Sequence, residues 1–202
     1  MSKFAFPPSI RSRPVYGELS PVAADRHLMI ADAEGAEALI DLARRDPALI
    51  RKAHVIFIQK STGGKYVDDL KSLQPEQLYI GPTYGAALQR IQHVLSELHM
   101  GAQLYLAGTE GLIGQAMNEA TQAGIPHMSI QTEHRGSTAR RVQCVHCKGV
   151  TEDVATDPYK CSHCGLNLFV RDHYSRRHAA FQGVRIDAED HGNVPKAKGL
   201  YS

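Results

Sequence analysis

The four cysteines of this chain fall as two C-x-x-C pairs, Cys144-Val145-His146-Cys147 and Cys161-Ser162-His163-Cys164. Two such pairs separated by a short loop have the spacing of a tetrahedral four-thiolate metal site. In a site of this kind each pair bends through a tight turn that aims backbone N–H groups at the sulfurs. Lys148-Gly149 after the first pair and Gly165 after the second suit that bend, because glycine accepts a positive φ without steric cost. Two disulfides or four buried free thiols are the alternatives, and the spacing favours metal. Zinc prefers closed thiolate cages, and iron in the same cage would make a one-electron carrier. The short loop between the pairs, and a second pair with no proline after it, favour zinc, with iron as the alternative. His146 and His163 hold matching positions inside the two pairs. They read as polar turn residues, since four sulfurs already saturate the ion.

Upstream of the cysteines, apolar runs alternate with amphipathic stretches. His27–Ala31, Ala53–Ile58, Leu78–Gly81, Ala102–Ala107 and Met128–Thr132 read as buried strands. Ala36–Arg45, Thr83–Met100 and Leu112–Ala123 carry apolar residues at helical spacing. Asp46-Pro47 stops the first of these helices, and Gly124 with Pro126 stops the last. Strand and helix in alternation, joined by short loops, predict a doubly wound α/β fold with a parallel sheet. The expected organisation is an irregular arm over 1–26, broken by Pro7, Pro8, Pro14 and Pro21, then an α/β domain over 27–136. A four-cysteine module with a basic helix follows over 137–184, and a flexible polar tail over 185–202. The arm either packs along the domain, reaches a partner or is disordered.

Bulk properties narrow the function. Lys and Arg total 23 against 21 Asp and Glu, a net charge of +2, too small to argue for nucleic acid. No apolar run approaches the roughly 18–20 residues that span a bilayer, so no membrane association is expected. Residues 1–14 lack the apolar core of a secretory signal, and paired metal-type cysteines suit the cytoplasm. No nucleophile–base pair and no open metal position is visible, so no catalytic residue is assigned.

Ligands of open α/β sheets sit beyond the carboxyl ends of the strands. None of those turns carries the glycine-rich phosphate fingerprint. The first, Ala31-Asp32-Ala33-Glu34-Gly35, places carboxylates where a pyrophosphate needs bare N–H groups. Gly108-Thr109-Glu110-Gly111 is the remaining candidate, and it reads equally as a turn in which Thr109 caps the next helix. A nucleotide is the minor reading, and the cofactor-binding residues of this domain stay unassigned.

Between and after the cysteine pairs, Thr151–Lys160 suits a short hairpin and Leu166–Val170 a strand. Asp172 is placed to cap a short helix with Tyr174, Ala180 and Phe181 as apolar anchors. Residues 135–185 hold nine Lys and Arg against four Asp and Glu, which predicts a basic patch beside the metal knuckle. Such a patch suits docking to an acidic protein or cofactor; a solvated surface is the alternative.

Two resemblances follow from these residues. Leu104-Tyr105-Leu106-Ala107-Gly108-Thr109-Glu110-Gly111-Leu112, with Ala123-Gly124-Ile125-Pro126 and Ile130–His134, resembles the closing segment of the nicotinamide-binding half of ferredoxin reductases. Ala107-Gly108-Thr109 stands where that family has Cys-Gly-Pro, its glycine-rich turn is absent, and no flavin-binding barrel precedes. The resemblance therefore implies a ferredoxin-reductase nucleotide-domain-like fold without its cofactor. Cys144-x-x-Cys147-Lys148-Gly149-Val150-Thr151, Cys161-Ser162-His163-Cys164-Gly165-Leu166 and Phe169–Ser175 resemble the small subunit family of bacterial dimethylamine monooxygenase. That likeness extends to the α/β domain.

What it implies is a cytoplasmic complex that uses NADPH and O2 to demethylate dimethylamine to methylamine and formaldehyde. A haem-containing oxygenase subunit does the chemistry, and a flavin/iron–sulfur reductase subunit supplies electrons. Haem, FMN and 2Fe-2S are expected only in those partners. This chain is then an accessory subunit with a zinc-ribbon or rubredoxin-like module, metal-bound through Cys144, Cys147, Cys161 and Cys164. A rubredoxin-like iron electron carrier and a stand-alone zinc-ribbon adaptor are the other readings.

Overall fold

Five parallel strands, β1 (His27–Asp32), β2 (Ala53–Ile58), β3 (Gln77–Gly81), β4 (Gln103–Gly108) and β5 (Ile130–His134), pair in the order β3-β2-β1-β4-β5. The structure is a computed structural model, and it describes residues 13–60 and 64–201. Its contacts divide the chain into two units, one of Tyr16–Ala139 and one joining 13–15 to 140–201.

In the first unit the strands alternate with α1 (Gly35–Arg45), α2 (Pro47–Ile50), α3 (Val67–Ser72), α4 (Tyr84–Glu97) and α5 (Glu110–Gln122). Every residue of β1 and β4 is buried, as befits central strands covered on both faces. The period of two sorts their side chains. Met29, Ala31, Tyr105 and Ala107 enter the apolar cluster of α1 with Leu49, Ile50 and Leu70. Leu28, Ile30, Leu104 and Leu106 enter the opposite cluster with Ile91, Val94 and Leu95 of α4 and Leu112 and Ile113 of α5. Each fully buried aliphatic side chain contributes about 1.5–3 kcal/mol, so the two layers are the main stabilisation of this unit. The expected parallel, doubly wound sheet is present.

The helix starts follow side-chain chemistry. Thr83 Oγ1 accepts from Ala86 N–H at 3.2 Å, and Asp46 Oδ1 accepts from Ala48 N–H at 3.0 Å. Asp46-Pro47 therefore ends α1 and also begins α2, with proline in the first turn where it is tolerated. The sequence reading has only the stop. It also lacks α3, in which Leu70 alone is buried, so no apolar period announces it.

Part of the expected N-terminal arm, residues 1–12, lies outside the described residues. Residues 16–22 run along β5 without regular structure. Their N–H groups find Thr132 O from Gly17 at 3.0 Å, Glu133 Oε2 from Leu19 at 2.8 Å and Gln131 Oε1 from Ser20 at 2.8 Å. Leu19 has no exposed surface, which anchors the segment.

The second unit is built of β6 (Arg140–Cys144), β7 (Val150–Val154), β8 (Thr156–Asp157), β9 (Tyr159–Lys160), β10 (Asn167–Ser175), β11 (Ala180–Arg185) and β12 (Lys198–Gly199). Its main sheet has the order β7-β6-β11-β10-β9, and β12 pairs with β8. Val142, Val154, Leu168, Val170, Tyr174 and Phe181 form its core together with Cys144 and Cys161.

Two expectations fail here. The segment expected as a basic helix is the antiparallel hairpin β10–β11. Leu168, Val170, Tyr174 and Phe181 all face one core, and Tyr174 meets Phe181 edge-on at 5.1 Å across the hairpin. The tail is likewise attached as far as residue 201. Lys198 and Gly199 pair with Asp157 and Thr156, and Leu200 and Tyr201 N–H groups both reach Ala155 O at 3.1 Å. The Arg140 guanidinium lies over the Phe181 ring at 4.0 Å and over the Tyr201 ring at 4.2 Å. A polar composition hides that anchor, which is one aromatic ring on one guanidinium.

Candidate metal centre

Each cysteine pair is held by the same two backbone hydrogen bonds. Cys144 N–H reaches Gly149 O at 2.9 Å, and Lys148 N–H reaches Cys144 O at 2.9 Å. In the second knuckle Cys161 N–H reaches Leu166 O at 2.9 Å, and Gly165 N–H reaches Cys161 O at 3.0 Å. The left-handed position is Gly165 with φ +74° in the second knuckle, but Lys148 with φ +65° in the first. Gly149 is needed for another reason: a Cβ there would lie 2.4 Å from Cγ of His163. The ring of His163 packs on that bare backbone, and its Nε2 lies 2.8 Å from Val150 O. So His163 ties one knuckle to the other instead of facing an ion. His146 is exposed.

The two knuckles bring Cys144, Cys147, Cys161 and Cys164 together, with all four sulfurs within 4.8 Å of one another. Cys144 Sγ and Cys164 Sγ are 3.9 Å apart, and Cys147 Sγ and Cys161 Sγ are 3.8 Å apart. Metal–sulfur bonds of about 2.3 Å in a tetrahedron put neighbouring sulfurs about 3.8 Å apart. The donor set therefore fits a four-thiolate ion and leaves no ligand position for water. None of the four is in a disulfide; Cys144 and Cys161 are buried, whereas Cys164 is exposed.

The electrostatics point the same way. Burial alone would raise the Cys161 thiol, but N–H groups of Cys164 and His163 and the neighbouring thiols bring it down to about 6. The N–H of Leu166 favours a thiolate at Cys164, yet desolvation and three crowded sulfurs carry it up to about 12. Four sulfurs so close ionise together only around a cation, so binding one releases protons.

The α/β unit brings its strand ends together differently from what a nucleotide would need. Its topological switch point lies between β1 and β4. There Asp32, with no exposed surface, accepts from Thr109 N–H at 2.7 Å and from Thr109 Oγ1 at 2.7 Å. Lys60 Nζ, just beyond β2, pairs with Asp32 Oδ2 at 2.8 Å and donates to Thr109 Oγ1 at 3.2 Å. Thr109 Oγ1 also accepts from Leu112 N–H at 3.4 Å, the cap expected for α5. Gly108, with φ +128°, has its missing Cβ position 2.0 Å from Asp32 Oδ1, so the carboxylate lies against bare backbone. Lys60 was missed by the sequence reading; the usable signal is that the ends of β1, β2 and β4 are neighbours in a doubly wound sheet. Among the described residues no helix is long and apolar enough to cross a membrane.

Comparison with known proteins covers both units. Residues 8–130 match the family described as dimethylamine monooxygenase subunit DmmA-like, N-terminal domain, and residues 141–184 match its C-terminal domain. The chain is 27% identical over 173 residues to the heme-dependent oxidative N-demethylase delta subunit of Ectopseudomonas mendocina (strain ymp), covering 86% of each chain. Among solved structures, full-length CYP116B46 from Tepidiphilus thermophilus aligns with a TM-score of 0.43 and 15% identity over 64% of this chain and 18% of its own. The flavohemoglobin of Malassezia yamatoensis aligns with a TM-score of 0.38 and 15% identity over 56% and 32%. With both of its units matched, the chain belongs to the DmmA-like family of dimethylamine monooxygenase subunits.

Proposed function

We propose that this chain is an accessory subunit of a haem-dependent monooxygenase that uses NADPH and O2 to convert dimethylamine to methylamine and formaldehyde. The observation that carries the reading is the family match over both units, including the segment that holds the four cysteines. The curated relative named as a delta subunit supports a place in a multisubunit assembly. In this reading the haem sits in an oxygenase subunit and the flavin and iron–sulfur centre in a reductase subunit, all in the cytoplasm. Cys144, Cys147, Cys161 and Cys164 hold zinc, which closes a unit whose small apolar core is too slight to fold alone.

A second reading has one observation in its favour. Cys164 is exposed and Val145 beside the first pair is 36% exposed, so one edge of the cage faces solvent. Iron in that cage would let the chain relay an electron between reductase and oxygenase. Elemental analysis with a visible spectrum separates the two: zinc is colourless, and a ferric four-sulfur site is red and bleaches on reduction. For the assembly, the chain is co-expressed with the haem and reductase subunits and recovered with them. Cys144→Ser is expected to abolish stoichiometric metal and release the partners. A chain that purifies alone beside those subunits contradicts the reading.

A further inference from the structure

The β10–β11 hairpin carries an uncompensated charge. Arg171, His173, Arg176, Arg177 and His178 are all exposed. The one carboxylate in this stretch, Asp172, is already taken, because Arg13 and Arg140 both hydrogen-bond to its Oδ1. Burial works against that carboxylate, but the two guanidinium groups hold it below its usual range. No ion pair or side-chain hydrogen bond engages Arg171, Arg176 or Arg177 among the described residues. That is unusual in this chain, where Arg51 is the other described arginine of which this is true.

The turn of the hairpin is also held by backbone bonds. His178 N–H reaches Ser175 O at 3.2 Å, and Ala179 N–H reaches Arg176 O at 3.3 Å. Beneath the turn, Tyr174 packs on Phe181, and Arg140 stacks on the same Phe181 ring. The supported turn presents Arg176 and Arg177, and β10 presents Arg171 opposite Gln182, with little backbone entropy left to lose on docking. Nor does the tip lie at the metal, as the sequence suggests. Cys144 pairs with Gly183, and β11 runs about 10 Å back from there to Ala180 before the turn begins.

We propose that this hairpin is a docking surface for a carboxylate-rich patch on a partner protein. Resting on the function proposed above, the partner is another subunit of the same oxygenase. The planar forks of Arg171, Arg176 and Arg177 match carboxylates two bonds at a time. A nucleic acid fits less well: Tyr174 and Phe181 are buried and offer no stacking platform, and the net charge of the chain is +2.

The test compares the full wild-type chain with the triple variant Arg171→Gln, Arg176→Gln, Arg177→Gln. These side chains are exposed, and unchanged metal content with an unchanged far-ultraviolet spectrum verifies the fold. Affinity for the co-expressed oxygenase and reductase subunits is measured at low and at physiological salt. A weakening of at least tenfold at low salt in the variant, with most of the salt dependence gone, is expected. In parallel both chains are titrated with poly-L-glutamate and with a single-stranded oligonucleotide of equal charge. The wild type should bind polyglutamate and the variant at least tenfold less. Equal affinity of the two chains for both the subunits and polyglutamate overturns the proposal, as does tighter wild-type binding of the oligonucleotide than of polyglutamate. If the wild type ignores the oxygenase subunits, the proposed function fails, and the polyglutamate titration alone decides the hairpin.

Discussion

Asp32→Ala tests how the α/β unit uses its switch point. The substitution removes a fully buried carboxylate that receives Thr109 N–H, the Thr109 hydroxyl and the Lys60 ammonium, each within 2.8 Å. Thr109 is itself 8% exposed, so its N–H is left without a partner at a cost of about 1–3 kcal/mol. Losing a negative charge at the start of α5 adds about 0.3–1 kcal/mol. The side chain of Lys60 is 36% exposed and returns to water, so it adds little. The expected loss is about 3 kcal/mol, a large share of an ordinary domain stability of about 5–15 kcal/mol. Urea unfolding of the full chain followed by far-ultraviolet circular dichroism measures it, with metal content unchanged as the control that the second unit is intact.

A change under about 0.5 kcal/mol would refute the idea that this carboxylate organises the strand ends. The same geometry bears on cofactors. A phosphate at a helix N-terminus needs free N–H groups, and here Asp32 already holds that of Thr109 while Thr109 Oγ1 holds that of Leu112. About 1 mM NADPH would stabilise a domain that bound it with a Kd of about 10 µM by about 2.7 kcal/mol. No such rise is expected for the wild type, and a rise of that size would show that the carboxylate leaves room for the cofactor.

Two further outcomes follow from close contacts. Gly149→Ala is expected to destabilise the metal unit by about 1–3 kcal/mol, because its Cβ would meet the His163 ring, and combining it with His163→Ala should recover part of the loss; thermal melts of the four chains give the coupling, and simple additivity would refute the contact. His54 is held down to about 4 by burial and by Arg90, whose Nε donates to His54 Nε2 at 3.3 Å, and burial and Lys52 lower His27 as well. A histidine lowered in the folded state makes the unfolded chain bind more protons between its ordinary pKa of 6.5 and about 4. Stability of the α/β unit should therefore be full above pH 6.5 and fall as pH drops toward 4, with His54→Gln giving a flatter profile; an unchanged slope in that variant would remove His54 as the cause.

What could be read from residues alone divides by the range of the forces involved. The strands were legible because β1, β2 and β4 are covered on both faces and so are written as unbroken apolar runs. The convergence of the four cysteines was legible because it depends on spacing within each knuckle, which chain geometry dictates locally. The β10–β11 hairpin was not. Asp172 suits a helix cap by type, and nothing local forbids one; the strand wins because Leu168, Val170, Tyr174 and Phe181 bury together on one core, while Arg13 and Arg140, distant in sequence, hold the Asp172 carboxylate and Tyr201 closes over Arg140. The Asp32–Lys60–Thr109 cluster is hidden in the same way, since three strand ends have to meet before a lysine and a threonine find one aspartate.

The misread hairpin and the unforeseen Lys60 share a physical origin and bear directly on function. In both places a carboxylate is held by groups distant in sequence, the buried Asp32 at the switch point and the half-exposed Asp172 on β10. The first occupies the crevice in which an α/β sheet ordinarily binds its ligand, and beside the second Arg171, Arg176 and Arg177 have no side-chain partner among the described residues. A self-occupied crevice in one unit and uncompensated arginines in the other both fit the proposed role of a subunit that contacts another protein. These contacts add a physical argument to the family match, which spans the same residues.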